Sequence, residues 1–167
     1  APVTRPRATS RVVYLPAGRW IELARAWRVA GDGGITLGSA DVVGGRRTVT
    51  AKAPLRTIPL FLRAGAVVPL LPTSVDTLSD YGDDVVHLGD RADRRTLVAA
   101  PVAGEERGTL GPGESLESVA TARSWTLAVD ADRARTYDVQ ATLAGLDRDW
   151  TPCRVEADGR QVPYRYD

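Results

Sequence analysis

Glycine, proline and aspartate interrupt this sequence so often that no stretch leaves room for a long amphipathic helix. Sixteen glycines and 11 prolines are spread over 167 residues. Between them lie short runs rich in Val, Ile, Leu, Thr and aromatic residues. Runs of that length, bounded by turn residues, are the pattern of an all-β sandwich or barrel. An antiparallel β-sandwich is therefore expected, with strands at 11–15, 20–23, 47–51, 58–62 and 66–70. A second set is expected at 84–88, 96–100, 115–120, 124–129, 135–143, 153–157 and 161–164.

Two runs carry a clear period of two. In "RTYDVQATL", Tyr137, Val139, Ala141 and Leu143 alternate with polar neighbours, and in "SWTLAV" Trp125, Leu127 and Val129 do the same. Each pattern predicts one buried and one wet face. Asp158-Gly159 sits between strand-like arms, a strong short-range hairpin signal. "ELARAWRV" (22–29) has room for a helical turn or two but ranks below strand or loop, because glycines follow at once. Six glycines within residues 30–46 predict a long loop or an inserted hairpin. At 70–84 the composition turns from apolar to Ser, Thr and Asp, which marks a boundary between a proximal sandwich and a smaller distal β lobe.

The stretch "APLRTIPLFLRAGAVVPL" (53–70) holds Pro54, Pro59 and Pro69, each lacking a backbone donor and holding φ near −65°. Gly65 supplies the positive φ needed to reverse the chain between two apolar arms. No acid, nucleophile or histidine lies in it, so its stiffness serves shape. It is expected to form a docking wall through Ile58, Leu60, Leu62, Val67 and Val68.

Composition narrows the function classes. Twenty-two basic residues almost cancel 21 acidic ones, so net charge gives no reason to expect nucleic acid or anionic lipid as a partner. Most arginines read as parts of a solvated face. Cys153 is alone, which removes an intrachain disulfide and a thiolate metal cage but decides nothing about cytoplasmic or secreted location. No apolar run approaches the roughly 20 residues of a membrane span, and "APVTRPRATSR" has no apolar signal core. His87 has no nucleophile-elbow serine to serve. The acidic residues Asp76, Asp80, Asp83, Asp84, Asp130 and Asp132 fall in turn-like stretches, where aspartate bonds its own backbone. "AGDGGITLG" lacks the order of a phosphate-binding loop. No catalytic residue, metal site or cofactor is expected. Of four tryptophans, Trp20 and Trp125 lie in strand patterns and read as core. Trp27 and Trp150 lie in loop-like settings and are the candidates for stacking on a carbohydrate.

One further pattern is specific. "VVYLPAGRWIEL" (12–23) is followed, after a glycine-rich gap, by "GGRRTVTAKAPLRTIPLFLRAGAVVPL" (44–70). The order of Tyr14-Leu15-Pro16-Ala17-Gly18, Trp20, Pro54-Leu55, Ile58-Pro59, Arg63-Ala64-Gly65 and Pro69 resembles the β-sandwich that follows the catalytic barrel in glycoside hydrolase family 31. That family includes α-glucosidases, α-xylosidases and related retaining α-glycosidases. The resemblance implies a proximal C-terminal β-sandwich at 1–72 and a distal β-domain at 73–167, which Asp167 could truncate. It also implies that the partner of this region is a catalytic barrel of the same polypeptide. Such a barrel needs roughly 250 residues, and the family's Trp-x-Asp-Met-Asn-like nucleophile run is absent here. The implied role is therefore a non-catalytic accessory region of a glycosidase. Its alternative is a carbohydrate-binding module.

Overall fold

The computed structural model describes residues 7–31, 34–55, 57–148 and 150–166. The chain opens with β1 (Ser10–Leu15) and β2 (Arg19–Glu22), then a single helical turn, α1 (Leu23–Ala26). Four short strands follow: β3 (Trp27–Val29), β4 (Ile35–Leu37), β5 (Val42–Gly44) and β6 (Arg47–Lys52). After the proline-rich stretch come β7 (Phe61–Arg63) and β8 (Val67–Leu70). The remainder adds β9 (Arg94–Ala99), β10 (Gly104–Gly111), β11 (Glu114–Ala120), β12 (Trp125–Ala131) and β13 (Thr136–Ala141). A terminal hairpin, β14 (Glu156–Ala157) with β15 (Arg160–Gln161), turns at Asp158 and Gly159, both at positive φ.

Three sheets stack as layers. β5-β2-β7 is the first, β8-β9-β13 the second and β10-β11-β12 the third. Pairing is antiparallel throughout except between β9 and β13, which run parallel because β10 to β12 fill the crossover between them. The middle sheet takes β8 from before the Ser/Thr/Asp-rich stretch and β9 and β13 from after it. Its two faces serve two cores. Val68 and Val98, directly opposite one another, pack with Ile21, Leu23, Leu62 and Ala100 in the first. Val67 and Leu97 turn the other way, into a core with Leu110, Leu116, Leu127 and Val129. Leu97 and Val98 are both fully buried. Burying each side chain contributes about 1.5–3 kcal/mol.

The outer layers are fastened to the middle one by polar contacts. The Gln140 side chain accepts from the Leu37 amide (3.0 Å) and donates to the Ile35 carbonyl (2.8 Å), tying β13 to the β3–β4 hairpin. Arg19 ion-pairs with Asp147 at 2.7 Å and donates to the Leu146 carbonyl, clasping β2 to the turn after β13. On the third layer, β11 turns Glu114, Leu116, Ser118 and Ala120 inward. Ser118 accepts the Trp125 indole N–H at 2.9 Å. The Glu114 side chain is completely buried, with Arg135 Nε 2.7 Å from Oε1 and Arg95 Nη2 3.2 Å from Oε2. Neither contact has hydrogen-bond alignment, so they act as ionic contacts, and Tyr137 supplies the aligned bond at 2.7 Å. Arg135 also donates to the Ala92 carbonyl.

Several expectations are revised. The run 58–62 becomes strand only at Phe61, and 84–88 is reduced to a single bridge between Thr77 and His87. The segment 22–29 divides into strand end, helical turn and strand, and the glycine-rich gap forms β4 and β5. β10 was not anticipated, because "GEERGTLG" has no alternation and buries only Leu110. On β13 the order partly inverts: Val139 stands at the sheet edge and is exposed, while Gln140 is half-buried by its clip. Cys153 is exposed. Trp20 and Trp125 are half-buried rather than enclosed.

Burial raises the Tyr137 phenol above its usual value of 10.0; the hydrogen bond and charge of Glu114 push it further, against Arg135 and Arg95. The folded state thus holds this proton longer than the unfolded chain. Its stabilising contribution is complete below about pH 10 and disappears as pH rises through the folded pKa. Unfolding free energy measured by urea titration is expected to fall above pH 10, and Tyr137→Phe should flatten that slope. Identical slopes in the two proteins would contradict the assignment.

Candidate interaction surface

The stretch from Ala53 to Leu60 is the most unusual surface of the molecule. Ala53 and Pro59 are buried and act as pegs. The Ala53 amide donates to Thr9, the Thr57 amide to Pro54, and the Leu60 carbonyl accepts from Leu23, at 2.8–2.9 Å. Between these anchors Pro54, Leu55 and Ile58 are exposed. Leu55 is fully exposed, Ile58 is 67% exposed and Leu60 39%. Prolines at 54 and 59 lower the entropy of the unfolded stretch, and the Thr57–Pro54 bond closes a turn within it. Three exposed apolar side chains, Leu55, Ile58 and Leu60, result.

The other expected docking residues lie elsewhere. Leu62 is buried in the first core, while Val67 and Val68 are half-buried and face the second and first cores. The turn at Gly65 (φ +96°) donates its amide to Ala100 at 2.7 Å, and the Glu106 side chain covers it closely enough that a Cβ would crowd it. Trp27 is half-buried and packs on the first core. Trp150 is half-buried as well, and the indole N–H of each is buried without a hydrogen-bond partner.

Exposed apolar side chains are unevenly distributed. Of 15 large exposed ones among the described residues, 12 precede residue 89, including Val12, Tyr14, Leu55, Ile58, Leu78 and Tyr81. Isolated exposed apolar residues are ordinary, whereas a concentrated set marks an interaction surface. The acidic loop is organised by its own bonds: Val86 donates to Asp76 Oδ2 and the His87 amide to Asp90 Oδ2, both at 2.9 Å. His87 Nε2 lies 2.8 Å from the Gly82 carbonyl. These aspartates spend their oxygens locally, and no group of three or more His, Cys, Asp or Glu among the described residues could hold a metal ion.

These stacked β layers, with Leu55, Ile58 and Leu60 exposed on the first part of the chain, define an all-β fold. The comparisons make that specific. Residues 1–68 match the glycosyl hydrolase family 31 C-terminal domain. Over 84 residues, half of its length, the chain is 34% identical to an α-xylosidase from Saccharolobus solfataricus, of which it covers 10%. Across 98% of its length it superimposes on a family 31 dextranase from Flavobacterium johnsoniae, with a TM-score of 0.62 and 19% identity. A cycloalternan-forming enzyme from Listeria monocytogenes gives 0.63 and 21% over 97% of the chain. The chain spans 20% and 14% of those two structures. The structural matches establish the fold.

Replacing Leu55, Ile58 and Leu60 together by serine should leave folding stability within about 1 kcal/mol, because surface substitutions are individually small. It should also lower the binding of a fluorescent apolar dye by the 167-residue chain. Unchanged dye fluorescence would remove this strip as the exposed apolar surface.

Proposed function

We propose that this chain is the non-catalytic C-terminal β region of a family 31-like glycosidase, and that it packs against a catalytic barrel of the same polypeptide. The observation that carries this reading is the Ala53–Leu60 strip. Its backbone is pegged at both ends, while Leu55, Ile58 and Leu60 are left without cover. Leaving such side chains in water forgoes about 25 cal/mol per Å² of apolar area. Docking recovers that energy, and the prolines and backbone bonds at the ends of the stretch lower its entropic cost. The family match over residues 1–68 and the small share of each relative that the chain covers support a larger polypeptide.

In this role the domain supplies no acid, base or nucleophile. It stabilises the barrel and shapes the approach to it, and hydrolysis of α-glycosidic bonds belongs to the barrel.

An antibody raised against the chain measures the native gene product directly. A product larger by at least about 27 kDa, the mass of a roughly 250-residue barrel, is expected. The serine triple variant in that product should lower its thermal midpoint. A native product of 17.9 kDa would overturn the proposal.

A further inference from the structure

The sheet β1-β6 stands apart from the three layers and keeps one face entirely in solvent. Ser10, Val12 and Tyr14 on β1 lie opposite Lys52, Thr50 and Thr48 on β6, so all six side chains share that face. Every one of them is exposed, Tyr14 by 63%. The opposite face carries Val13, Leu15, Val49 and Ala51, which are half or fully buried. The outward face thus combines one aromatic ring, three hydroxyls and one ammonium, with no carboxylate.

Charge around this face is one-sided. Residues 1–70 contain eleven basic and three acidic residues, although the whole chain is nearly neutral. Two of the three acids, Glu22 and Asp41, lie against Arg25. Arg46, Arg47, Lys52 and Arg63 have no ion pair or side-chain hydrogen bond among the described residues. Three of them gather at one end of the ribbon, around the turn Pro16–Gly18. The Arg46 amide donates to Pro16, Arg47 lies opposite Leu15, and Arg63 Nε approaches Gly18. Lys52 marks the other end.

The turn holding Arg46 is also strained. Arg46 has φ +56°, a region that costs a side-chain-bearing residue roughly 1–2 kcal/mol. Gly45 beside it is required, since a Cβ there would collide with the Pro16 carbonyl oxygen. Backbone packing against Pro16 and Gly18 therefore pins an unpaired arginine at the end of an exposed ribbon. From Arg46 to Lys52 the track runs roughly 20 Å at about 3.3 Å per residue.

We propose that this face binds an acidic polysaccharide, a linear chain of sugars bearing carboxylates. The carboxylates pair with Arg46 and Arg63 at one end and Lys52 at the other, while Arg47, opposite Leu15, belongs to the other face. A sugar ring stacks on Tyr14, and its hydroxyls meet Thr48 and Thr50. The flat, elongated face suits an extended polymer. Unpaired cations select acidic over neutral sugars, while the aromatic ring and hydroxyls select a sugar over a bare polyanion.

Binding of the 167-residue chain to polygalacturonate, followed by Tyr fluorescence and calorimetry at 50 mM salt, tests this. Dextran and polyglutamate serve as the neutral and the sugar-free comparisons. Expected are binding to polygalacturonate that weakens at least about tenfold at 500 mM salt as screening shortens the Debye length, and no binding to dextran. Tyr14→Ala should weaken polygalacturonate binding about five- to tenfold, and R46E/K52E should abolish it, both with unchanged circular dichroism, as expected for solvent-facing positions. No binding at 50 mM salt would overturn the proposal. So would equal affinity for dextran. Equal affinity for polyglutamate, unaffected by Tyr14→Ala, would overturn it too and make the face a contact for an acidic protein surface.

Discussion

Leu97 and Val98 are neighbours in the chain and fill opposite cores. That alternation, repeated opposite them by Val67 and Val68, makes β8-β9-β13 a sheet with two buried faces. Every other layer is positioned by it. The first sheet lies on its Val98 side with Ile21 and Leu62, and the third lies on its Leu97 side with Leu110 and Leu116. The Gln140 clip, the Arg19 clasp and the Glu114 cluster then hold the outer layers to it. Glu114 is the costliest of these, because removing one partner from a buried charge pair typically costs 3–5 kcal/mol. Its contacts with Arg95 and Arg135 link the second sheet to the third.

The proposed function depends on this stacking. A docking strip works only if its backbone does not yield on contact, and its ends are held where Ala53 bonds Thr9, just before β1, and Leu60 bonds Leu23 of the first core. The prolines that seemed to serve shape alone have two effects. From residue 53 to 60 they hold apolar side chains outward, and beyond Gly65 they accompany β8 into the middle of the molecule. One stiff segment thereby joins the exposed surface to the most buried sheet.

Much of the fold is legible in the sequence where burial alternates. β1, β6 and β12 lie within a residue or two of their expected places, and Asp158-Gly159 forms its hairpin. β10 was illegible because its strand character comes from pairing with β11, not from its own glycines and glutamates. Val139 reads as core, yet the third layer does not extend over that edge. Glu114 and Ser118 read as polar and outward, but arginines from two other segments and a tryptophan satisfy them inside. The Glu114–arginine contacts join residues 19 and 21 positions apart and the Ser118 contact crosses a hairpin, so no local pattern announces them. Of the residues expected in a docking wall, Ile58 and Leu60 are exposed, while Leu62, Val67 and Val68 pack into the cores. Leu55 was not among the expected docking residues, because one leucine before an arginine carries no periodic signal. The one-sided charge of residues 1–70 was hidden by the near-zero net charge of the whole chain.

Urea unfolding of the 167-residue chain, followed together by tryptophan fluorescence and far-ultraviolet circular dichroism, tests the shared sheet most directly. Leu97→Ala opens the second core and Val98→Ala the first. With one sheet serving both cores, the two signals should coincide in a single transition. Leu97→Ala should lower stability by roughly 2–5 kcal/mol and Val98→Ala by somewhat less, each moving both signals equally. Two separate transitions, one shifted only by Leu97→Ala and the other only by Val98→Ala, would contradict it.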